Sequence, residues 1–376
     1  MIKTFEGKNP NNLYLEMLDY VNRKGELVCP KGKPTKEIYP CITKIENPRE
    51  RFLTVYGRHI NPFFLCAEAV WILAGRDDAK FIMYFNKQLG EYLDKGFRTF
   101  HGAYGGRIRK ANFGYYKIDQ IDSVIRRLKS DNDTRQAVIS LWNPRLDIQP
   151  SKDIPCNNLS YFKIRNNKLH LHQIIRSNDI NLGLFPTNIF QFSMIQEYVA
   201  SALRVDVGEL LFFSDSLHLY TDDTITENVL GHVSYSGYDL DIFDIYEHNL
   251  FKFARLSILD RILKCIIINA KEYMNGNFKG LNDIYDITTN CVFWDLNNMI
   301  KIYCLRRQGK YIDAIDRTFN LYGFDFKVTA LEYHWNKARN SNIGDIQKKK
   351  ILIGMREDSK FNSEIIKFIT NREYEK

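Results

Sequence analysis

The feature that most constrains the fold is a buried helix pattern between strand patterns. The segment IFQFSMIQEYVASAL, residues 189–203, repeats apolar residues at intervals of three and four, which predicts a buried helix. Before it, AVISLW (137–142) is rich in β-formers, and the runs LSYFKI and KLHLHQII flank the turn RNNK, which predicts a hairpin. After it, GELLFFSDSLHLY (208–220) is strand-like. This alternation indicates the mixed α/β class.

Helical patterns occur at both ends of this central region. NPFFLCAEAVWILAG (61–75) has helical spacing and ends at a glycine, while CPKGKPTKEIY (29–39) reads as a basic turn that opens a strand. From about residue 250 the segments FARLSILDRILKCIIINAKEYM and VFWDLNNMIKIYCLRRQGKYIDAIDRTF show long helical patterns. We therefore expect a mixed-sheet domain over residues 1–249 and a helical extension over residues 250–376.

Composition narrows the class of protein. Of the 376 residues, 44% are hydrophobic and 14% aromatic, which is enough for a packed core and excludes wholesale disorder. No apolar run is long enough for a membrane span, and the first residues lack a signal-peptide pattern, so we expect a cytoplasmic protein without a membrane partner. The seven cysteines show no CxxC pair and no metal-ligand spacing, so reduced thiols and no metal are expected.

The charge favours an anionic ligand. The net charge of +8 suits a phosphate-bearing small molecule or a nucleic acid, but no nucleic-acid module is recognisable, so a nucleic-acid partner is not expected. The densest basic run, QKKKI (347–351), reads as a solvated helix face.

Seven short motifs stand out along the central part of the chain. They are AEAVWILAG (67–75), GAYGGRIR (102–109), DTRQAVISLWNP (133–144), PCNN (155–158), RSND (176–179), GLFPTNIFQF (183–192) and DSLHLY (215–220). Together they resemble the thymidylate synthase and deoxycytidylate hydroxymethylase family, in the family's order and over roughly residues 25–225. The resemblance implies a large mixed sheet with flanking helices and a homodimer formed through the sheet face.

The chemistry of this family depends on a cysteine. Position C5 of a pyrimidine is a poor nucleophile, and a thiolate added at C6 makes C5 an enolate carbon that attacks a one-carbon electrophile. A lone cysteine is usually a packed apolar residue, but the neighbouring motifs identify Cys156 as the nucleophile. Arg176, one hairpin downstream, should share its pocket, lower the pKa of its thiol and bind the substrate phosphate.

The resemblance assigns further roles residue by residue. Arg135 would reach the phosphate of the neighbouring subunit; the next family position, often arginine, is Gln136 here. Lys31 or Lys33 either supplies another phosphate contact or belongs to a solvated turn. Ser177 would contact the phosphate, and His218 and Tyr220, on one strand face, would contact the sugar 3′-hydroxyl. Asp179 would contact the folate pterin or cap a turn. Glu68 would belong to a water network that moves protons, and Tyr104 would assist proton removal from C5 or is a packed aromatic.

Base identity depends on Asn188. A carboxamide can donate to O4 and accept from N3–H of uracil, whereas an aspartate there would suit cytosine. The segment GLFPTN appears one residue longer than the family spacing, as if Phe185 were inserted. If the extra residue falls elsewhere, Thr187 would take the reading position.

The sequence does not decide between a methyl and a hydroxymethyl product. Both family reactions use methylenetetrahydrofolate; a synthase then transfers hydride, whereas a hydroxymethylase admits water. Asn157 replaces the histidine that follows the synthase cysteine, SLHLY resembles the hydroxymethylase branch, and ITNREYEK (369–376) does not resemble the apolar tail of synthases. The predicted activity is one-carbon transfer to C5 of a dUMP-like nucleotide. The alternatives are hydroxymethylation of dUMP, dCMP or CMP, a noncatalytic nucleotide-binding regulator, and C-terminal helices that bind a nucleic acid or a partner.

Overall fold

A computed structural model describes most of the chain. It covers residues 2–55, 57–112, 114, 116–236, 254–279, 291–338 and 342–370. None of the helices within those ranges has the length and apolar character that a membrane crossing requires.

The centre of the molecule is a mixed six-stranded sheet. Its strand order is β1-β4-β11-β9-β8-β7, with parallel pairs β1–β4 and β11–β9 and antiparallel pairs elsewhere. The predicted hairpin is confirmed as β8 and β9, and Asn166 and Asn167 form its turn with φ values of 50° and 57°, which asparagine tolerates. The strands are β1 (Lys3–Gly7), β4 (Cys41–Ile45), β7 (Val138–Ser140), β8 (Asn157–Arg165), β9 (Lys168–Ile175) and β11 (Asp206–Ser214).

A smaller sheet carries the edge of the site. Its order is β10-β12-β3-β2, with β10 parallel to β12. The predicted strand over 208–220 is in fact two strands, because the chain leaves the large sheet after Ser214 and joins the small sheet at Leu217. These strands are β2 (Glu26–Val28), β3 (Thr35–Ile38), β10 (Asn178–Asp179) and β12 (Leu217–Tyr220), and a separate hairpin joins β5 (Ala111–Asn112) to β6 (Lys117–Ile118).

Two buried helices hold the site. The predicted helix over 189–203 is α7, in which every residue except Leu203 is buried. The predicted helix over 61–75 is α2, in which every residue except Glu68 is buried. In this half of the chain the helices are α1 (Pro10–Lys24), α2 (Pro62–Leu73), α3 (Ala79–Phe85), α4 (Tyr104–Arg109), α5 (Gln120–Ser130), α6 (Pro144–Asp147), α7 (Ile189–Leu203) and α8 (Thr224–Ser236).

The predicted helical extension is confirmed over the described residues. It packs on the sheet domain through aromatic pairs, such as Phe63 with Tyr333 at 5.2 Å between ring centroids. Asp260 also accepts bonds of 2.8 and 2.9 Å from Arg109. The predicted boundary at residue 249 lies outside the described residues. The helices of the extension are α9 (Leu256–Met274), α10 (Cys291–Arg307), α11 (Tyr311–Phe319), α12 (Phe324–Lys337), α13 (Asn342–Glu357) and α14 (Ser363–Thr370).

Candidate active site

The β8–β9 hairpin brings Cys156 and Arg176 together at its open end. Cys156 directly precedes β8 and Arg176 directly follows β9, and the Arg176 amide donates to the Cys156 carbonyl at 3.0 Å. The guanidinium donates to the carbonyls of Pro155 and Ile154, both at 2.9 Å. These bonds hold Arg176 Nη2 3.7 Å from Cys156 Sγ, so the two residues share a pocket, as the sequence predicts.

The thiol of Cys156 is less acidic than the sequence led us to expect. Burial raises its pKa, and the carboxylate of Asp153 adds to that effect, while the charges of Arg176 and Lys31 oppose it. The expectation of a lowered pKa is therefore wrong for this chain by itself, since desolvation outweighs the two cations. A pattern of motifs contains no measure of burial, which is why it missed this balance.

A line of carboxamides runs inward from the cysteine. Asn157 Nδ2 donates to the Tyr104 hydroxyl at 2.8 Å and to Asn188 Oδ1 at 3.0 Å. Asn188 Nδ2 donates to Asn178 Oδ1 at 3.0 Å, and Asn178 in turn donates to Ser214 Oγ at 2.9 Å. Asn157 is completely buried, yet its Oδ1 has no hydrogen-bond partner among the described residues. Such an orphaned acceptor fits a donor from a ligand or a water.

The segment around Phe185, where the sequence predicts an extra residue, is a π-helical turn in which Phe185 itself is not helical. Residues Ile180–Asn188 form this turn, which leads directly into α7. Phe185 is buried and packs on Tyr14 at 5.3 Å. The Thr187 hydroxyl donates to the Leu182 carbonyl at 2.8 Å within the turn, whereas the Asn188 side chain meets Asn157. Of the two predicted base readers, Asn188 is the one beside the residue that follows Cys156.

Glu68 is the one residue of α2 that is only half-buried. Gln191 of α7 donates to its Oε2 at 2.8 Å. Burial raises the pKa of Glu68 to about 7, and the bond from Gln191 only partly offsets that rise. Gln191 Oε1 is buried without a partner within the described ranges. The carboxyl is thus set to exchange a proton near neutral pH.

Tyr104 is the first residue of α4. Its hydroxyl accepts from Asn157, and its ring lies 6.2 Å from that of Phe192. Burial raises the pKa of the phenol well above its usual value. Tyr104 therefore stays neutral and can only relay a proton, accepting one as it donates its own.

Asp179, His218 and Tyr220 lie together on the small sheet. Asp179 and His218 are register partners on β10 and β12, and the rings of His218 and Tyr220 meet edge to face at 5.6 Å. The same-face prediction for His218 and Tyr220 is therefore confirmed. Asp179 caps the π-helical turn by accepting from the Asn181 amide at 2.7 Å. Burial raises the pKa of Asp179 and lowers that of His218, while the attraction between the two side chains opposes both shifts.

Two further residues lie near the site: Lys33 of the basic turn, and Tyr92, which the sequence did not predict. The Lys33 ammonium lies 5.7 Å from the ring centroid of Tyr220, so this turn faces the site. The pKa of Tyr92 is raised first by burial and then by neighbouring charges that include Asp179 and Cys156, which places Tyr92 near both. Sequence reasoning missed Tyr92 because no motif surrounds it.

Two predicted phosphate contacts lie at the surface. Arg135 is exposed in the loop before β7, and no hydrogen bond or ion pair joins it to Cys156 within the described ranges. Its neighbour Gln136 accepts from Arg127 at 2.8 Å. Ser177 is half-buried beside Arg176.

Comparisons with known proteins identify the family of this chain. A sequence model of the thymidylate synthase family matches residues 12–257. A deoxyuridylate hydroxymethyltransferase of Bacillus phage SP01 is 44% identical over 237 residues, which cover 60% of this chain and 62% of that protein. One from Pseudomonas phage M6 is 36% identical over 185 residues, 49% of this chain and 51% of that protein. A putative thymidylate synthase of Methanocaldococcus jannaschii is 31% identical over 212 residues, 55% of this chain and 86% of that protein.

The extent of these matches differs between the relatives. The chain spans about half to three-fifths of the length of the two phage proteins, but most of the archaeal protein. The family match covers well over half of the 376 residues and includes Cys156, Arg176 and Asn188. This chain belongs to the thymidylate synthase family.

Proposed function

We propose that the protein transfers a one-carbon unit to C5 of deoxyuridylate and releases a 5-hydroxymethyl nucleotide. The family acts on pyrimidine mononucleotides with folate one-carbon chemistry. Two phage relatives bear the name deoxyuridylate hydroxymethyltransferase. The observation that carries the proposal is the 3.7 Å approach of Arg176 to Cys156, one residue from the buried carboxamide line.

Cys156 is the proposed nucleophile. Its thiolate adds to C6 of the base, which moves negative charge to O4 and C5. Because burial favours the neutral thiol, activation requires nearby positive charge. Arg176 and Lys31 already lower the thiol pKa, and an arginine from a second subunit would add to them.

Substrate recognition is assigned to residues beside Cys156 and to residues of the small sheet. Asn188 reads uracil through O4 and N3–H, because its carboxamide offers one donor and one acceptor. Arg176 and Ser177 bind the phosphate, and Arg176 Nη1 has no partner among the described residues. His218 and Tyr220 hold the sugar hydroxyl from their shared strand face.

Three side chains would move protons and water at C5. Glu68, with its pKa raised to about 7, takes the proton from the attacking water in its ionised form. Tyr104 passes the C5 proton outward as a neutral relay. The orphaned Oδ1 of Asn157 accepts from that water and holds it beside the reacting carbon.

The residues at the mouth fit a folate. Asp179 offers a carboxyl group to a pterin amine, and Leu182 and Tyr92 next to it are 59% and 53% exposed, which supplies apolar and aromatic surface. When bound, methylenetetrahydrofolate supplies a one-carbon unit at the oxidation level of formaldehyde. Asp179 and Tyr92 would orient it towards the nucleotide beside Cys156.

A homodimer through the large sheet is part of the proposal. Leu159, Ile174, Phe213 and Ile42 are neighbours in register across four strands, and all four are only half-buried. Such an apolar row on one sheet face suits a second copy of the chain. The dimer would bring Arg135, at the edge of the same sheet, towards the partner's phosphate. We further propose that residues 1–249 form the catalytic domain and residues 250–376 an extension to it.

Mass spectrometry tests the reaction directly. The full chain is incubated with dUMP and methylenetetrahydrofolate, and a hydroxymethyl product together with tetrahydrofolate is expected. Cys156→Ser should abolish product, while Cys29→Ser, at an exposed cysteine, should not. Thymidylate together with dihydrofolate would instead establish the synthase reaction, the activity in the name of the archaeal relative. If dUMP, UMP, dCMP and CMP all stay unmodified, a noncatalytic binding role replaces the proposal.

A further inference from the structure

The helical extension contains a second cavity that the proposed reaction does not use. It has a volume of about 520 Å³, within the usual range for small-molecule sites. It lies between α10, α11, α12 and the start of α13, beyond the residues that match the family. Its chemistry is set by three cations and three phenols: Arg306, Arg307, Lys337, Tyr303, Tyr311 and Tyr333.

The charge of this cavity has one sign. No carboxylate lines it among the described residues, and in those same ranges no ion pair joins Arg306, Arg307 or Lys337 to an acid. Lys337 and Arg307 are exposed, so their charges face the open side of the cavity. Three uncompensated cations around one concave surface concentrate anions there.

The cations are held in place from inside the helices. Arg306 Nη1 lies 3.1 Å from His334 Nδ1 and donates to Gln347 Oε1 at 3.3 Å. Its guanidinium carbon lies 5.3 Å from the ring centroid of Tyr311 and 5.8 Å from that of Tyr333. Lys337 Nζ lies 5.7 Å from the same Tyr333 ring. A guanidinium fixed between two rings is preorganised for a ligand and loses little freedom on binding.

Burial makes the charge of Arg306 unusually receptive to an anion. Desolvation lowers the pKa of its guanidinium, and the neighbours that oppose this are neutral phenols rather than acids. A phosphate oxygen would replace the missing counter-charge through charge-assisted hydrogen bonds. The hydroxyls of Tyr311 and Tyr333 add neutral donors of the kind that phosphate oxygens accept.

The first turn of α13 reinforces this preference. Ile343 and Gly344 of that turn line the cavity, so the positive end of a 16-residue helix faces it. Asp345 lies on the same turn but is exposed and does not line the cavity.

We propose that this cavity binds a nucleoside triphosphate. Three cations and a helix end match a chain of phosphates better than a single phosphate, and the volume leaves room for a nucleoside. An isolated structural cation–π cluster would account for the rings, but not for three cations around one cavity without an acid. The proposal does not depend on the reaction at Cys156.

The cavity also contacts the catalytic helix. Tyr303 donates to the Phe85 carbonyl at 3.2 Å, and its ring lies 5.8 Å from that of Phe63. Phe63 lies on α2, one and a half turns before Glu68. Tyr303 therefore joins the lining of the cavity to the helix that carries Glu68.

Calorimetric titration of the full chain tests the site without requiring activity. The protein is saturated with dUMP to occupy the site at Cys156, and dUTP is then titrated at low and high salt. One dUTP per chain is expected, with affinity that falls as salt rises. Inorganic triphosphate should bind more weakly, since it lacks the nucleoside.

Matched variants locate the binding. Lys337→Gln and the double change Arg307→Gln with Lys337→Gln alter exposed side chains and should weaken dUTP by about tenfold or more. Lys349→Gln removes the same charge from an exposed position on α13 outside the cavity and should change nothing. The proposal is overturned by the absence of saturable dUTP binding, by affinity unchanged in the double variant, or by binding of oligothymidylate or pentaglutamate in place of dUTP.

Discussion

Asn157, the residue after the proposed nucleophile, has a hydrogen-bonding pattern that bears on the product of the proposed reaction. It is completely buried, donates to both Tyr104 and Asn188, and keeps an unsatisfied acceptor within the described structure. A histidine at this position would present a ring nitrogen in place of that carbonyl oxygen. In the proposed reaction this position would govern how a water is held, while Cys156 would govern the bond to C6.

Replacing Asn157 by leucine should separate two steps of the proposed reaction. In a single turnover with enzyme in excess, tritium should leave C5-labelled dUMP at the wild-type rate, because this step precedes the addition of water, while hydroxymethyl product forms about tenfold or more slowly. Both are measured in one reaction. Ser160→Ala, a buried change elsewhere on β8, is the control. A parallel loss of both signals would remove Asn157 from the water step.

Glu68 sets the expected pH dependence. Its raised pKa of about 7 means that the carboxyl is mostly protonated below that pH and mostly ionised above it. Because the ionised form accepts the proton from water, the rate should rise with pH through about 7. Glu68→Gln should lower kcat by roughly 10²–10⁴-fold and abolish this rising limb. A rising limb that persists in the variant would assign it to another group, with Cys156 the first candidate.

Single residues show where sequence reasoning succeeded and where it stopped. The approach of Arg176 to Cys156 followed from a hairpin of recognisable length, since strand register fixes which ends meet. The nearness of Tyr92 and the outcome of the thiol pKa depend on burial by distant segments. Spacing along a chain contains no information about either.

At the scale of elements, the best-predicted parts are those with strong local signals. The helix α7 begins and ends at the predicted residues, and the Asn-Asn turn defines the hairpin. The break between β11 and β12 was missed because both halves have strand composition. It becomes evident only from their partners, since Asp215 donates to Ile175 of the large sheet at 2.8 Å whereas Ser216 accepts from Asn178 of the small sheet at 2.8 Å.

The exposed face of the large sheet gives a prediction at this scale. Ile174→Glu places a charge in the middle of the apolar row and should convert the proposed dimer to a monomer. Sedimentation velocity measures the change, with circular dichroism to verify folding. Activity should fall with it, since Arg135 would no longer reach a partner's site. Lys129→Glu, an exposed change on α5, is the control. A folded wild-type chain that sediments as a monomer would contradict the dimer.

At the scale of the whole molecule, the extension and the sheet domain share one apolar core. Phe52 meets Phe326 at 4.9 Å between ring centroids, and Tyr198 donates to Asp260 at 2.6 Å. Sequence patterns predicted the helices of the extension but not that they pack against α2. This packing requires complementary shapes on two distant segments, and the periodicity of a sequence does not encode such shapes.

Asp325, where the extension packs on the sheet domain, is expected to make the free energy of unfolding depend on pH. It is buried at the start of α12, its Oδ1 has no partner among the described residues, and burial raises its pKa to about 8 despite the charge of Arg51. A carboxyl whose pKa is higher in the folded state stabilises that state at low pH. Its contribution to the free energy of unfolding is lost as pH rises from about 4 to 8, by up to about 1.4 kcal/mol per pH unit.

Asp325→Asn should remove that dependence. The amide is neutral at every pH, so the difference in melting temperature between variant and wild type should grow in favour of the variant from pH 5 to pH 8. Thermal melts at several pH values measure it, with Asp313→Asn, on the exposed part of α11, as the control. A difference that stays constant with pH would show that Asp325 does not titrate in this range.

The shared core constrains how the distal helices can be gained or lost in evolution. Similarity to the family ends at residue 257, but Phe52 and Phe63, inside the matching region, are covered by rings that lie beyond it. A lineage that loses the distal helices exposes those two phenylalanines, and one that gains the helices must already present an apolar surface there. Gain or loss of the distal helices should therefore be accompanied by changes at Phe52 and Phe63.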